Sequence, residues 1–506
     1  MPGTLTVKGS ATLQPGAVAD YSFGQAGIVG GAYNDLTVVH GDLTLGGTLN
    51  VTSTPGGSFD PGIYRVFNYD GALSGSMALG TVPSPGNYFI QTSVANQVNL
   101  VNTNGLLLNY WDGQSPAEKN NGQVNGGNGT WMSSLGNDNW TDRPGAVNAP
   151  FSNGAFAVFM GLPGVVSIDN GPGQVQAVGM QFATGGYQLV GNPLLLTGGG
   201  TPATGSIIRV GDGTAAGTGY TARIDAQIDG AATLVKTDLG MLVLNGANTY
   251  AGGTQINAGT LQIAQDNNLG LTGTALGIDG GTLHTTGSFS SGRAVTLGSS
   301  GGTVQTDAGT QLDLTAAVDG TGQLTKSGDG TLVLHADNTF SDGTAIDGGT
   351  LQLGIGGTSG ALLGNVANNG VLSFNRSDNY TFAGAISGSG SVNQIGSGTT
   401  ILTGDSTYSG GTTISSGTLQ LGAGGSTGSI SGDVLNDGVL VFNRSNTVNF
   451  GGLISGSGNV NQAGTGVTVL TGNNTYAGTT TISAGELYVN GDQADATGAT
   501  TVTGAT

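Results

Sequence analysis

Val366-Ala-Asn-Asn-Gly370-Val-Leu-Ser-Phe374-Asn-Arg-Ser377 returns, at an offset of 68, as Val434-Leu-Asn-Asp-Gly438-Val-Leu-Val-Phe442-Asn-Arg-Ser445. The match runs on through Gly388-Ser-Gly-Ser-Val392-Asn-Gln394 and Gly456-Ser-Gly-Asn-Val460-Asn-Gln462, as far as Leu421 and Val489. Roughly 34 of the 56 paired positions are identical, which marks a structural repeat. Two earlier copies share the second half of the unit, around Leu324-Thr-Lys326 and Leu234-Val-Lys236. The aromatic Tyr250 corresponds to Phe340, Tyr408 and Tyr476, and the leucine Leu261 to Leu351, Leu419 and Leu487.

Within each copy, runs of three to five residues alternate apolar and polar positions, as in Thr331-Leu332-Val333-Leu334. Gly, Asn, Asp, Ser and Thr separate them, and no stretch carries a capped stripe of helical period. The aromatic recurs at steps of 90, 68 and 68. The difference of 22 suggests one rung of a coiled sheet, with 68 equal to three rungs and 90 to four. The fold class predicted is all-β, a right-handed parallel β-helix of roughly 22 residues per rung. At ~4.8 Å per rung the chain would form about 23 rungs and a rod near 110 Å long.

Composition agrees. Glycine supplies 99 of 506 residues, and charged residues only 8%. The glycines have no Gly-X-Y period, which excludes collagen, and their number excludes a helical protein. The net charge of −19 leaves no basic footprint for nucleic acid or an anionic membrane. Ten aspartates directly precede glycine, so much of the acid reads as turn chemistry. With no cysteine, disulfides, thiol catalysis and Cys-ligated metals are excluded. No apolar run is long enough to span a bilayer. Both ends read as those of a piece of a longer chain.

Three stretches are expected: 1–105, an N-terminal β-helical stretch; 106–165, a Trp/Gly/Asn-rich excursion or packed cap; and 166–506, a β-helix with the four repeats at about 230–263, 320–353, 388–421 and 456–489.

Candidate chemistry is sparse. Gly404-Asp405-Ser406 resembles the nucleophile loop of chymotrypsin-like proteases, but Thr407 stands where glycine is needed and the other copies replace it, so a turn is expected. His40, His284 and His335 are scattered, without a partnered Ser and Asp; His335 reads as a solvated turn residue. Asp319, Asp342 and Asp347 lie about a rung apart, the spacing of a glycan-cleaving carboxylate pair, yet Asp319 and Asp347 have no acidic counterpart at the repeat offset. Tandem calcium nonapeptides are absent, the Gly-rich runs open no helix, and Thr-x-Thr changes place from rung to rung, against ice binding. No cofactor or metal is predicted. Trp111, Trp131 and Trp140 are the candidate ligand contacts, since exposed indoles suit sugars and partner hot spots; the alternative is buried filler where the cross-section changes.

The run Leu324-x-Lys326-x-Gly328-x-Gly330-Thr331-Leu332-x-Leu334, followed by Asn338-Thr339-Phe340, Gly343-Thr344 and Gly349-Thr350-Leu351, resembles the passenger-associated transport repeat of bacterial autotransporters. Tyr110-Trp111-Asp112-Gly113 with Gly129-Thr130-Trp131 and Asn139-Trp140, and Gly62-x-Tyr64-x-Val66-Phe67-x-Tyr69, also resemble segments of large passengers. Gln394 and Gln462 replace the motif lysine in the last two copies, so that lysine reads as a surface residue. The resemblance implies a right-handed β-helical passenger, exported through its own C-terminal outer-membrane β-barrel and displayed or released outside a Gram-negative cell. Rung-by-rung folding outside the cell would help draw the chain through. The implied role is an adhesive and structural rod for attachment, autoaggregation or biofilm, not itself membrane-spanning. Its partners would be host or bacterial surface glycans or proteins, or further copies of itself. A glycan-active or proteolytic passenger is the alternative.

Overall fold

In the computed structural model, which describes residues 1–84, 86–199 and 205–504, short strands stack as parallel ladders and no α-helix occurs among the described residues. The chain is a parallel β-solenoid of about 16 turns, with about 21 residues per turn. It divides into two compact units, Met1–Ala232 and Thr233–Thr506. Among the described residues no helix is long and apolar enough to cross a membrane.

The first unit departs from the predicted rung. Leu5 pairs with Thr37 and Thr37 with Phe67, Ala11 with Leu43 and Leu43 with Leu73, so its opening turns advance the numbering by 30 to 32. The longer turns and the irregular segment that follows explain why there are fewer turns than sequence periodicity suggests. The coil ends against an antiparallel hairpin, Tyr88–Gln91 and Gln97–Asn102, laid on Gly62–Tyr69. Tyr110–Trp111, Trp140–Thr141 and Asn148–Ala149 then pair antiparallel, and parallel stacking resumes when Tyr110 meets Val158.

The second unit is regular, and each turn visits three faces. One turn runs through Val318–Gly320, Leu324–Ser327 and Thr331–Leu334, each stacked on the previous turn at Val295–Leu297, Gly302–Thr306 and Gln311–Leu314. Inward positions carry the core: Leu261, Leu351 and Leu419 are fully buried, and Tyr250, Phe340, Tyr408 and Tyr476 nearly so. Leu487 is only half-buried: among the described residues no further strand stacks on its strand Glu486–Val489.

The repeat is not a whole number of turns, contrary to the reading of 68 as three rungs. Lys236 lies in the stack that continues through Thr254–Ile256, Leu276–Ile278 and Val295–Leu297 to Val318–Gly320. Lys326 lies in the next stack around the turn, between Gly302–Thr306 and Thr344–Ile346. Gln394 lies in the third, between Val371–Arg376 and Thr412–Ile414. Gln462 stands one face further on again, between Val439–Phe442 and Thr480–Ile482. Each shorter step between copies is therefore three turns plus one face, and the longer first step four turns plus one face. Inward residues tolerate this because every face looks onto the same apolar column. An outward residue of the repeat therefore points in a different direction in each successive copy, and after three steps the fourth copy, at Gln462, is back on the face of the first.

The glycine of Gly-Thr-Leu fixes the corner. Gly259, Gly349, Gly417 and Gly485 have φ of +62° or +63°, and a Cβ there would sit 2.2–2.4 Å from a carbonyl oxygen of the turn below. Only glycine meets both demands.

Candidate functional site

The tryptophan segment forms the most densely aromatic part of the first unit. Trp140 packs against Phe151, Trp131, Trp111 and Phe159 with ring centroids 4.4, 5.0, 5.2 and 5.6 Å away. All three indoles are fully buried, which corrects their reading as ligand contacts: no ring face is open to a sugar or a partner. Trp111 Nε1 donates to Gly127 O at 2.8 Å, whereas the Nε1 groups of Trp131 and Trp140 have no partner.

A buried polar layer that composition does not reveal adjoins them. Lys119 donates to Gly113 O, Asp138 O and Asn139 Oδ1 at 2.6, 2.9 and 3.1 Å. Burial lowers its pKa, and raises that of Asp112, whose carboxylate accepts from Asn125 N and Asn148 Nδ2 at 2.6 and 2.8 Å. Satisfied donors and acceptors make such a layer tolerable inside a core.

The repeat lysines are also inside, which corrects the surface reading. Lys236 and Lys326 are fully buried. Lys236 Nζ donates to Thr237 O, Asp238 O and Ala258 O, and Lys326 Nζ to Ser327 O, Gly328 O and Gly348 O, at 2.7–3.2 Å. Removal from water lowers both pKa values to about 8. Gln394 and Gln462 do the same work with a different partner. Their Nε2 groups donate to Gly396 O and Gly464 O at 2.8 Å, and their Oε1 atoms accept from Thr400 and Thr468 Oγ1 at 2.6 and 2.7 Å. Six residues after each lysine stands a leucine instead, Leu242 or Leu332. An ammonium has no acceptor to satisfy and an amide does, so the glutamine requires the threonine.

A second internal comparison concerns the motif aromatic. Tyr250, Tyr408 and Tyr476 hydrogen-bond Thr254, Thr412 and Thr480 at 2.7, 2.7 and 2.6 Å. Copy two has Phe340, and there Thr344 Oγ1 is buried without a partner. Phe340→Tyr is expected to stabilise the second unit by about 1 kcal/mol, seen as slower hydrogen exchange around residue 344; unchanged or faster exchange would contradict the pairing.

The enzymatic candidates are not assembled. Asp319, Asp342 and Asp347 are all exposed. Asp342 and Asp347 flank the two ends of Thr344–Ile346, while Asp319 lies in Val318–Gly320 on a different face. Asp405 Oδ1 accepts from Gly428 N and Ser429 Oγ at 3.0 and 2.8 Å, and Ser406 Oγ accepts from Ile386 N at 3.1 Å, so both side chains tie this segment to its neighbouring turns. Each histidine pairs with an aspartate on an adjacent turn: His40 with Asp70, His284 with Asp307, and His335 with Asp313 at 2.8, 2.7 and 3.1 Å. His335 is thus half-buried and partnered, not a free solvated residue.

Sequence reasoning passed over the arginines. Arg376 pairs with Asp337 and Asp378, and Arg444 with Asp405, and each donates to a carbonyl of a protruding loop, Thr358 O or Ser426 O. The Phe-Asn-Arg-Ser identity between copies was the available signal.

Four stretches, 234–263, 324–353, 392–421 and 460–489, match the passenger-associated-transport-repeat family model. Over 390 residues, 77% of the chain, the sequence is 44% identical to the Adhesin BmaC autotransporter of Brucella suis biovar 1 (strain 1330). Over 288 residues it is 30% identical to the uncharacterized lipoprotein YdeK of Escherichia coli (strain K12), covering 54% of the chain. The matches span 11% and 21% of the lengths of these relatives. No solved structure gives a significant match. The four repeats, the parallel solenoid that they build and the extended similarity to an autotransporter assign this chain to the passenger domains of bacterial autotransporters that carry passenger-associated transport repeats.

Proposed function

We propose that the chain is a scaffold segment of a cell-surface adhesin, serving attachment, autoaggregation or biofilm formation. It would be held outside the outer membrane by its own C-terminal β-barrel. The extended identity to a protein named an adhesin carries this reading. The exposed, dispersed aspartates and the histidines taken up by aspartate give an enzymatic reading no support. The one-face advance of each repeat argues that the four copies build and extend the solenoid, since their outward residues do not line up as one adhesive face. The net charge of −19 keeps such a surface soluble and away from nucleic acid.

The purified chain, immobilised and presented to cultured epithelial cells or to matrix-coated surfaces, is expected to give saturable binding. Removing residues 392–459, which joins equivalent sequence to equivalent sequence, should leave that binding in place. Binding no greater than that of an unrelated acidic β-solenoid would overturn the reading.

A further inference from the structure

Arg65, in Gly62–Tyr69, is half-buried, and among the described residues no carboxylate pairs with it. Its neighbours are neutral: Nε donates to Asn99 Oδ1 at 2.7 Å, Nη1 to Asn68 Oδ1 at 2.5 Å, and Nη2 to Gln97 Oε1. Three amides thus fix the plane of the guanidinium without compensating its charge. A guanidinium carries five N–H donors, so two stay available. In a chain with 30 acids and 11 bases, a cation at the mouth of a cavity with no anion beside it is a specific arrangement.

The cavity, about 230 Å³, lies within the first unit and is lined by Arg65, Gln97, Asn120, Ile28, Val29 and Val94. Gln97 spends its Oε1 on Arg65 and on Asn99 Nδ2, leaving its own NH2 group unengaged. Lys119 reaches the same cavity, but its ammonium is consumed by the oxygens of Gly113, Asp138 and Asn139. Ile28 and Val29 are 46% and 50% exposed. Their loop is held rather than loose: Asn34 accepts from Gly24 N and Gln25 N and donates to Gln25 O and Ile28 O at 2.7–3.0 Å, while Gly27 N donates to Ile63 O at 2.9 Å.

We propose that this cavity binds a carboxylated pyranose, the carboxylate forked on Arg65 and the ring lying against Ile28, Val29 and Val94. Arg is suited to a planar, two-oxygen acceptor. The aliphatic wall suits the C–H face of a sugar ring, and the Gln97 amide a ring hydroxyl; a bare inorganic anion would use neither. This deepens the adhesin reading and rests on it by naming the ligand class.

The test uses the full chain in solution, with methyl glucuronide, its uncharged counterpart methyl glucoside, and sulfate, followed by saturation-transfer NMR and titration. Glucuronide is expected to bind at least about tenfold more tightly than glucoside or sulfate. Arg65→Gln is expected to abolish the difference with the melting temperature unchanged. Val29→Glu, at an exposed position, should do the same by placing a carboxylate beside Arg65; it keeps the test decisive should Arg65→Gln not fold. No glucuronide binding, equal binding of glucoside, sulfate as tight as glucuronide, or binding that survives Val29→Glu would each overturn the site. If the unsubstituted chain binds epithelial cells but no glucuronide, the pocket alone is overturned; if it binds neither, the adhesin reading falls as well.

Discussion

Arg293→Ala is expected to destabilise the turn around residues 264–275 by about 3–5 kcal/mol. The side chain is 1% exposed and holds that turn from one point. Nε and Nη2 donate to Asp266 Oδ1 and Oδ2 at 2.9 and 3.1 Å, and Nη2 also reaches Asp266 O and Gly270 O at 3.0 and 2.9 Å. Nη1 donates to Leu271 O and Thr274 Oγ1 at 2.9 and 2.5 Å. Truncation leaves a largely buried carboxylate and several carbonyls without donors, and that desolvation cost exceeds the pair's own worth. Arg293→Lys should recover only part, because a compact ammonium cannot span Asp266 and Leu271 together. A solenoid need not unfold in one step, so the measurement is native-state hydrogen exchange across 264–275. A loss under about 1 kcal/mol would show that the network is not what holds the turn.

Trp140→Ala is expected to cost about 3–5 kcal/mol in the first unit. The ring touches four other aromatic rings, so its removal opens a cavity whose walls are flat and stiff and collapse poorly. Trp140→Phe should cost much less, about 1–2 kcal/mol, since the unpartnered Nε1 gives up no hydrogen bond. Urea unfolding followed by tryptophan emission reads both. Equal losses for Phe and Ala would mean that ring packing is not the source of the effect.

The solenoid was legible because its inward positions repeat chemically. Leu261, Leu351 and Leu419 are interchangeable wherever they fall, as every face meets the same apolar column. The motif glycines were equally legible, since one backbone conformation recurs four times. The lysines misled because an ionic side chain replaced by glutamine suggests solvent. Only the folded chain brings Lys326 and Gln394 into equivalent carbonyl cages, with Leu332 or Thr400 matched to the choice. The tryptophans were ambiguous for a related reason: Gly and Asn surround them in sequence, while the aromatic rings that bury Trp131 and Trp140, among them Phe151 and Phe159, arrive from other strands or loops.

Sequence by itself determined that this chain coils, where its corners fall and which aliphatics turn inward, because those are local demands of alternation and turn geometry repeated along the chain. Tertiary structure alone decided how far around the coil each copy begins, because the repeat exceeds a whole number of turns by the length of one face. It also decided which charges are caged and that Arg65 faces a cavity with amides for partners, because a counterion or its absence is set by the turn above and below, not by the neighbours in the chain.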